Sequence, residues 1–200
     1  MTERAKLYLI NSSVALLLLC GALSACVAPA RVHAVYAHDT RVLLRLDYDH
    51  DGDGIVDVRT YMRDGRPVRL EADADGDGRV DRWEYYAAGG ELLRIGASTR
   101  RDGREDTWVR EAGDERHVWI STRRDHVVDR REVYRAETLL SVESDSNFDG
   151  VPDRWEEFQD GVLAQVLLDD ELKHGRPTRR LVYEGGREPR VEMVAVGGAQ

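Results

Sequence analysis

Six oxygen-bearing positions fall at fixed spacing in the stretch Asp73 to Glu84, DADGDGRVDRWE. Carboxylates recur at alternate residues (Asp73, Asp75, Asp77), Gly78 permits a tight reversal, and Asp81 and Glu84 follow. Counted from Asp73, side-chain oxygens stand at positions 1, 3, 5, 9 and 12, with the Arg79 carbonyl at position 7. A twelve-residue loop surrounds one hard divalent cation in that order. Carboxylates crowded this closely repel one another, and a cation at their centre removes the repulsion. Asp and Gly are also good turn formers, which is the alternative explanation of any single loop.

The same order recurs along the chain. Gly54, Gly78, Gly103, His126, Gly150 and Gly175 are separated by 24, 25, 23, 24 and 25 residues, the beat of a repeat architecture. Asp57, Asp81, Asp106, Asp129 and Asp153 each fall three residues after their reference position. Trp83, Trp108 and Trp155 fall five after theirs, and STRRD occurs at both 98–102 and 121–125. Between these loops, short aromatic and β-branched runs flank Asp64-Gly65, Gly89-Gly90, Gly113-Asp114, Asp160-Gly161 and Gly185-Gly186, the pattern of β-hairpins. No apolar stripe lasts three helical turns. The expected fold is all-β: six copies of loop, strand, turn, strand, forming an antiparallel meander. A sheet of about a dozen strands twists strongly, and curling into a barrel or a sandwich is open at this level. Tyr61, Trp83, Tyr85, Trp108, Trp119, Tyr134, Trp155 and Phe158 are expected to supply the core face.

The loops differ in their ligand inventories. Loop 2 is the complete one described above. Loop 5 offers Asp145, Asn147, Asp149, the Val151 carbonyl, Asp153 and Glu156. Loop 1 offers Asp49, Asp51, Asp53, the Ile55 carbonyl and Asp57, with Thr60 at position 12 and Asp47 nearby. Loops 3 and 4 put Ser98 with Arg100 and Ser121 with Arg123 where acids would stand, and loop 6 lacks the spacing. There, guanidinium groups of Arg100, Arg101, Arg123 or Arg124 are candidates to neutralise Asp102, Asp106, Asp125 or Asp129 without metal. These loops resemble the calcium loops of EF-hand and dockerin-like proteins over about twelve residues per copy. The flanks depart from that family, being strand patterns in place of helices, so the resemblance implies ligand chemistry and no helix-opening switch. It implies two or three calcium sites of modest affinity, on the order of 0.1 to 1 mM.

The chain begins with Arg4 and Lys6, an apolar stretch from Val14, and Leu23-Ser24-Ala25-Cys26. The apolar stretch is too short for a spanning helix and has the layout of a secretory signal. Its end resembles the lipobox of bacterial lipoproteins, which implies cleavage before Cys26, acylation of that residue, and, with Val27 following, an outer-membrane destination. A plain signal cut near Ala28 or Ala30 is the alternative. Residues 1–25 are then the signal, 26–40 a tether, 41–196 the repeat domain and 197–200 a tail. Loss of Glu3, Arg4 and Lys6 takes the formal charge from −9 to −10, an acidic balance unsuited to nucleic acid. Cys20 leaves with the signal, so no disulfide is expected.

No nucleophile elbow, reactive thiol or phosphate-cradling glycine loop is present, and the histidines show no ligand spacing, so an enzyme is not expected. The expectation is a lipid-anchored, calcium-stabilised envelope scaffold in a structural or adhesive role. The other reading is a metal-independent scaffold that binds a protein or polysaccharide and carries vestigial loops.

Overall fold

The computed structural model describes residues 31–171, 175–185 and 188–194. The signal, Cys26 and the tail lie outside them. Among the described residues fourteen strands follow one another: β1 (Val32–Tyr36), β2 (Leu43–Tyr48), β3 (Val58–Arg63), β4 (Arg66–Ala72), β5 (Arg82–Tyr86), β6 (Leu92–Ala97) and β7 (Thr107–Ala112). They continue as β8 (Glu115–Ile120), β9 (Arg130–Arg135), β10 (Thr138–Ser144), β11 (Arg154–Gln159), β12 (Val162–Leu168), β13 (Arg179–Val182) and β14 (Arg190–Met193). Spatial order equals chain order in a single antiparallel sheet. Each described strand touches its sequence neighbours and no other, so the sheet is open, with β1 and β14 as its edges. Among the described residues there is no helix.

Short turns such as Asp64-Gly65 and Asp160-Gly161 place both residues at positive φ, the backbone twist that matches two antiparallel strands. The acidic loops make the connections at the opposite edge. β1 lies where a tether is expected. No acidic loop precedes it to mark the copy, yet it pairs with β2 through the Ala37–Val42 reversal.

Directly paired residues share a face. Trp83, Trp108, Trp119 and Trp155 project from one face in a single row that runs across the sheet, with Arg131 and Glu143 interleaved. Tyr134 and Phe158 belong to the other face, beside Glu132 and Glu156. The middle row there runs Val109, Val118, Glu132, Val142, Glu156, Val166. The expected aromatic core is thus divided: Trp83 and Trp108 are buried on one side, while the most completely buried apolar residues are Val142 and Val166 on the other.

Candidate metal centres

Backbone bonds stack the loops in register. The N–H of position 1 in each loop donates to the position-9 carbonyl of the loop before: Asp73 to Asp57, Ser98 to Asp81, Ser121 to Asp106 and Asp145 to Asp129, all at 2.8 Å. Position 9 in turn donates back to the residue preceding position 1, as from Asp81 to Ala72 at 2.8 Å. Positions 4 and 6 are left-handed in loops 1 to 5: Gly52 and Gly54, Gly76 and Gly78, Arg101 and Gly103, Arg124 and His126, Phe148 and Gly150. Glycine adopts that conformation freely, whereas each non-glycine residue there costs roughly 1–2 kcal/mol.

Two carboxylates hold each acidic loop in shape. In loop 2, Asp73 accepts from the N–H of Gly76 (2.8 Å), Asp77 (3.3 Å) and Gly78 (2.7 Å), and Asp81 accepts from Ala74 (3.1 Å). Loop 1 repeats this with Asp49, which accepts from Gly52 (2.5 Å) and Gly54 (3.0 Å), and with Asp57, which accepts from His50 (2.6 Å). Ser98 and Ser121 take over the position-1 role in loops 3 and 4 by accepting from the N–H of Asp102 and Asp125. Most of these position-1 and position-9 groups are buried.

Two sets of acids converge. Asp49, Asp51 and Asp57 form one and Asp73, Asp75 and Asp81 the other, each residue bringing one oxygen within 4.8 Å of its partners. Among the described residues no Arg or Lys pairs with Asp49, Asp51 or Asp57, and Arg31 nearby donates to the His50 carbonyl. In the second set Asp81 is 9% exposed and its Oδ1 is buried with no hydrogen-bond partner. Burial pushes the Asp81 carboxyl above the usual carboxylate range, and the nearby Asp75 and Asp73 charges push it further. In the metal-free chain the folded state therefore holds this proton more tightly than the unfolded state. Stability contributed by protonated Asp81 is lost as pH rises from its ordinary value through the raised one. A cation binds the ionised carboxylate and competes with that proton, so calcium affinity measured by titration is expected to weaken as pH falls from neutral into the acid range.

The other expected ligands do not join these two sets. Asp53, Asp77 and Asp149 at position 5 accept from the N–H of Ile55, Arg79 and Val151, the same residues whose carbonyls are the position-7 candidates. Glu84, at position 12, lies on β5 facing away from loop 2: Arg82 donates to it at 2.9 Å and Tyr86 also bonds it. Glu156 likewise pairs with Arg154 at 2.6 Å, and Glu132 lies between Arg130 and Tyr134. Side chains two apart on a strand share a face, and that is what draws position 12 away from the loop. The signal was present in the sequence as the recurring order Arg-x-Glu-x-Tyr/Phe. Asp47 is held by Arg45 at 2.6 and 2.8 Å, not by loop 1. Loop 5 forms no three-acid set. Asn147 stands at position 3 and donates to Asp149 at 3.0 Å, while Asp153 accepts from Ser146 and Asn147.

Loop 3 contains a cation of the chain's own. Arg124, from loop 4, reaches back to donate Nε to Asp106 (2.8 Å) and its terminal nitrogens to Asp102. Its side chain is only 10% exposed, and Asp106 is 2% exposed. The Arg124 hydrogen bonds hold the Asp102 carboxyl far below the usual carboxylate range. Arg101, one loop earlier, makes a single, more exposed bond to Asp75 of loop 2 at 3.1 Å.

No described protein family matches the chain, and no curated protein does. A solved structure with some likeness is that of an S. aureus TarM mutant in complex with fondaparinux, alpha-GlcNAc-glycerol and UDP. It is 10% identical, covers 57% of this chain and 19% of that one, and has a TM-score of 0.34. A likeness of that size bears on neither fold nor activity.

Proposed function

We propose that this chain is a lipid-anchored protein of the bacterial cell envelope whose acidic loops bind calcium and so stiffen a β-repeat scaffold, in a structural or adhesive role. One observation carries the metal reading: Asp73, Asp75 and Asp81 converge, and Asp81 presents a buried oxygen without a partner. An unpaired buried carboxylate oxygen costs free energy that a hard cation would recover. The lipid anchor rests on Leu23-Ser24-Ala25-Cys26. Mass spectrometry of the mature N-terminus tests it, an unmodified end other than Cys26 counting against it.

Loops 1 and 2 are the proposed sites, with positions 1, 3 and 9 as carboxylate ligands. Affinity on the order of 0.1 to 1 mM suits sites that stay filled outside the cell. At ten times the dissociation constant each calcium would stabilise by about 1.4 kcal/mol, raising Tm by about 3–6 °C in a domain of this size. Asp81→Asn is expected to remove the loop 2 share of that rise, while the metal-free Tm stays equal or higher because a buried charge is gone. Melting with and without calcium reads both.

The metal-independent scaffold, with a protein or polysaccharide partner, is favoured by loop 3, where Arg124 does the neutralising. A Tm unmoved by several millimolar calcium would select it.

A further inference from the structure

The stacking of the loops gives one side chain a place beside its neighbour's acids. Each loop's position 1 is bonded to the previous loop's position 9, so position 4 of one loop lies against the acids of the loop before. In loop 4 that residue is Arg124, and it fills loop 3. In loop 3 it is Arg101, and it holds Asp75 of loop 2 by one exposed bond. In loop 2 it is Gly76, which brings no side chain to loop 1. In loop 5 it is Phe148, whose ring stacks on Arg123 of loop 4 at 4.0 Å.

We propose that the position-4 residue of each loop sets the cation occupancy of the preceding loop: Gly76 leaves loop 1 to an external divalent cation, Arg101 competes with that cation at loop 2, and Arg124 replaces it at loop 3. This rests on the calcium reading of loops 1 and 2. The grading follows from charge and burial. Arg124 is enclosed and makes bonds to two aspartates, whereas the Arg101 side chain is 67% exposed, bonds Asp75 and acts on Asp81 through its charge alone. A guanidinium at Asp75 both occupies a ligand oxygen and repels a second cation. An exposed pair of this kind is weak enough for calcium to displace it. At loop 2, binding is therefore an exchange of a tethered monovalent cation for a free divalent one, with lower affinity than the acids alone would give.

The test is calcium titration by calorimetry on the full chain in an Asp57→Asn background, which silences loop 1. Arg101→Gly is the variant of choice, because residue 101 has φ 52° and glycine accepts that backbone without strain. Loop 2 is expected to bind calcium about two- to fivefold more tightly in Arg101→Gly, the range an exposed ion pair can account for. A second variant tests the converse in the chain with loop 1 intact. Gly76→Arg, at a slot with φ +73° and no atom within 4 Å of a built Cβ, has the backbone that Arg101 and Arg124 already adopt. It is expected to weaken calcium binding at loop 1 by tenfold or more. Calcium binding at loop 2 that is unchanged or weaker in Arg101→Gly would overturn the proposal and leave the calcium reading standing. No binding in parent or variant would overturn both.

Discussion

Asp106→Ala is expected to cost about 3–5 kcal/mol of stability with or without metal, because it removes one partner of a buried ion pair and leaves the other in place. Asp106 is 2% exposed and accepts from Thr99 N–H (3.1 Å), Thr99 Oγ1 (2.8 Å), Thr107 Oγ1 (3.1 Å) and Arg124 Nε (2.8 Å). Alanine strands the Arg124 guanidinium with Asp102 alone and leaves the Thr99 N–H unsatisfied. Asp106→Asn keeps an acceptor for Thr99 and is expected to cost less than the alanine. Chemical denaturation of the two variants beside the parent checks both the size and the order. Equal, small losses would mean that Arg124 does not depend on Asp106.

Asp73→Ala is expected to cost about 3 kcal/mol in chelated protein, since three loop N–H groups lose a charged acceptor worth roughly 1.5–3 kcal/mol per bond before water replaces part of it. For a domain of this size that is a fall in Tm of about 6–12 °C. The chain supplies its own milder alternative: Ser98 and Ser121 hold loops 3 and 4 at the same position. Asp73→Ser should therefore fold with a smaller loss than alanine, yet bind no calcium at loop 2. Shape and metal binding are separable in this loop, and the serine variant separates them. A serine variant as unstable as the alanine would show that the carboxylate's charge, not its role as acceptor, holds the loop.

Much of the architecture was legible in the sequence because turns and strands are local. The glycine beat, the Asp three residues after five of the six reference positions and the Asp-Gly pairs predict a meander, and the sheet follows chain order throughout. β1 carries no such mark, because Val32–Tyr36 precedes every acidic loop and lies outside the beat. Glu84 and Glu156 stand at the twelfth position, which in the helix-flanked calcium loops these resemble turns inward on a helix. On a strand, alternation sends that residue to the face of Arg82 or Arg154. Arg124 was a candidate cation for loops 3 and 4, but the sequence did not say which loop it enters. That depends on stacking one period away. The aromatic core was half right: the tryptophans align, but the deepest burial belongs to Val142 and Val166 in a row shared with glutamates.

The central claim is that loops 1 and 2 each gather three aspartates for one divalent cation. Calorimetric titration of calcium into chelator-stripped protein tests it most directly. Two sites per chain, with dissociation constants of about 0.1 to 1 mM and one site lost in Asp81→Asn, are expected. No saturable heat up to about 10 mM calcium, a range that covers even weak extracellular modules, would contradict it.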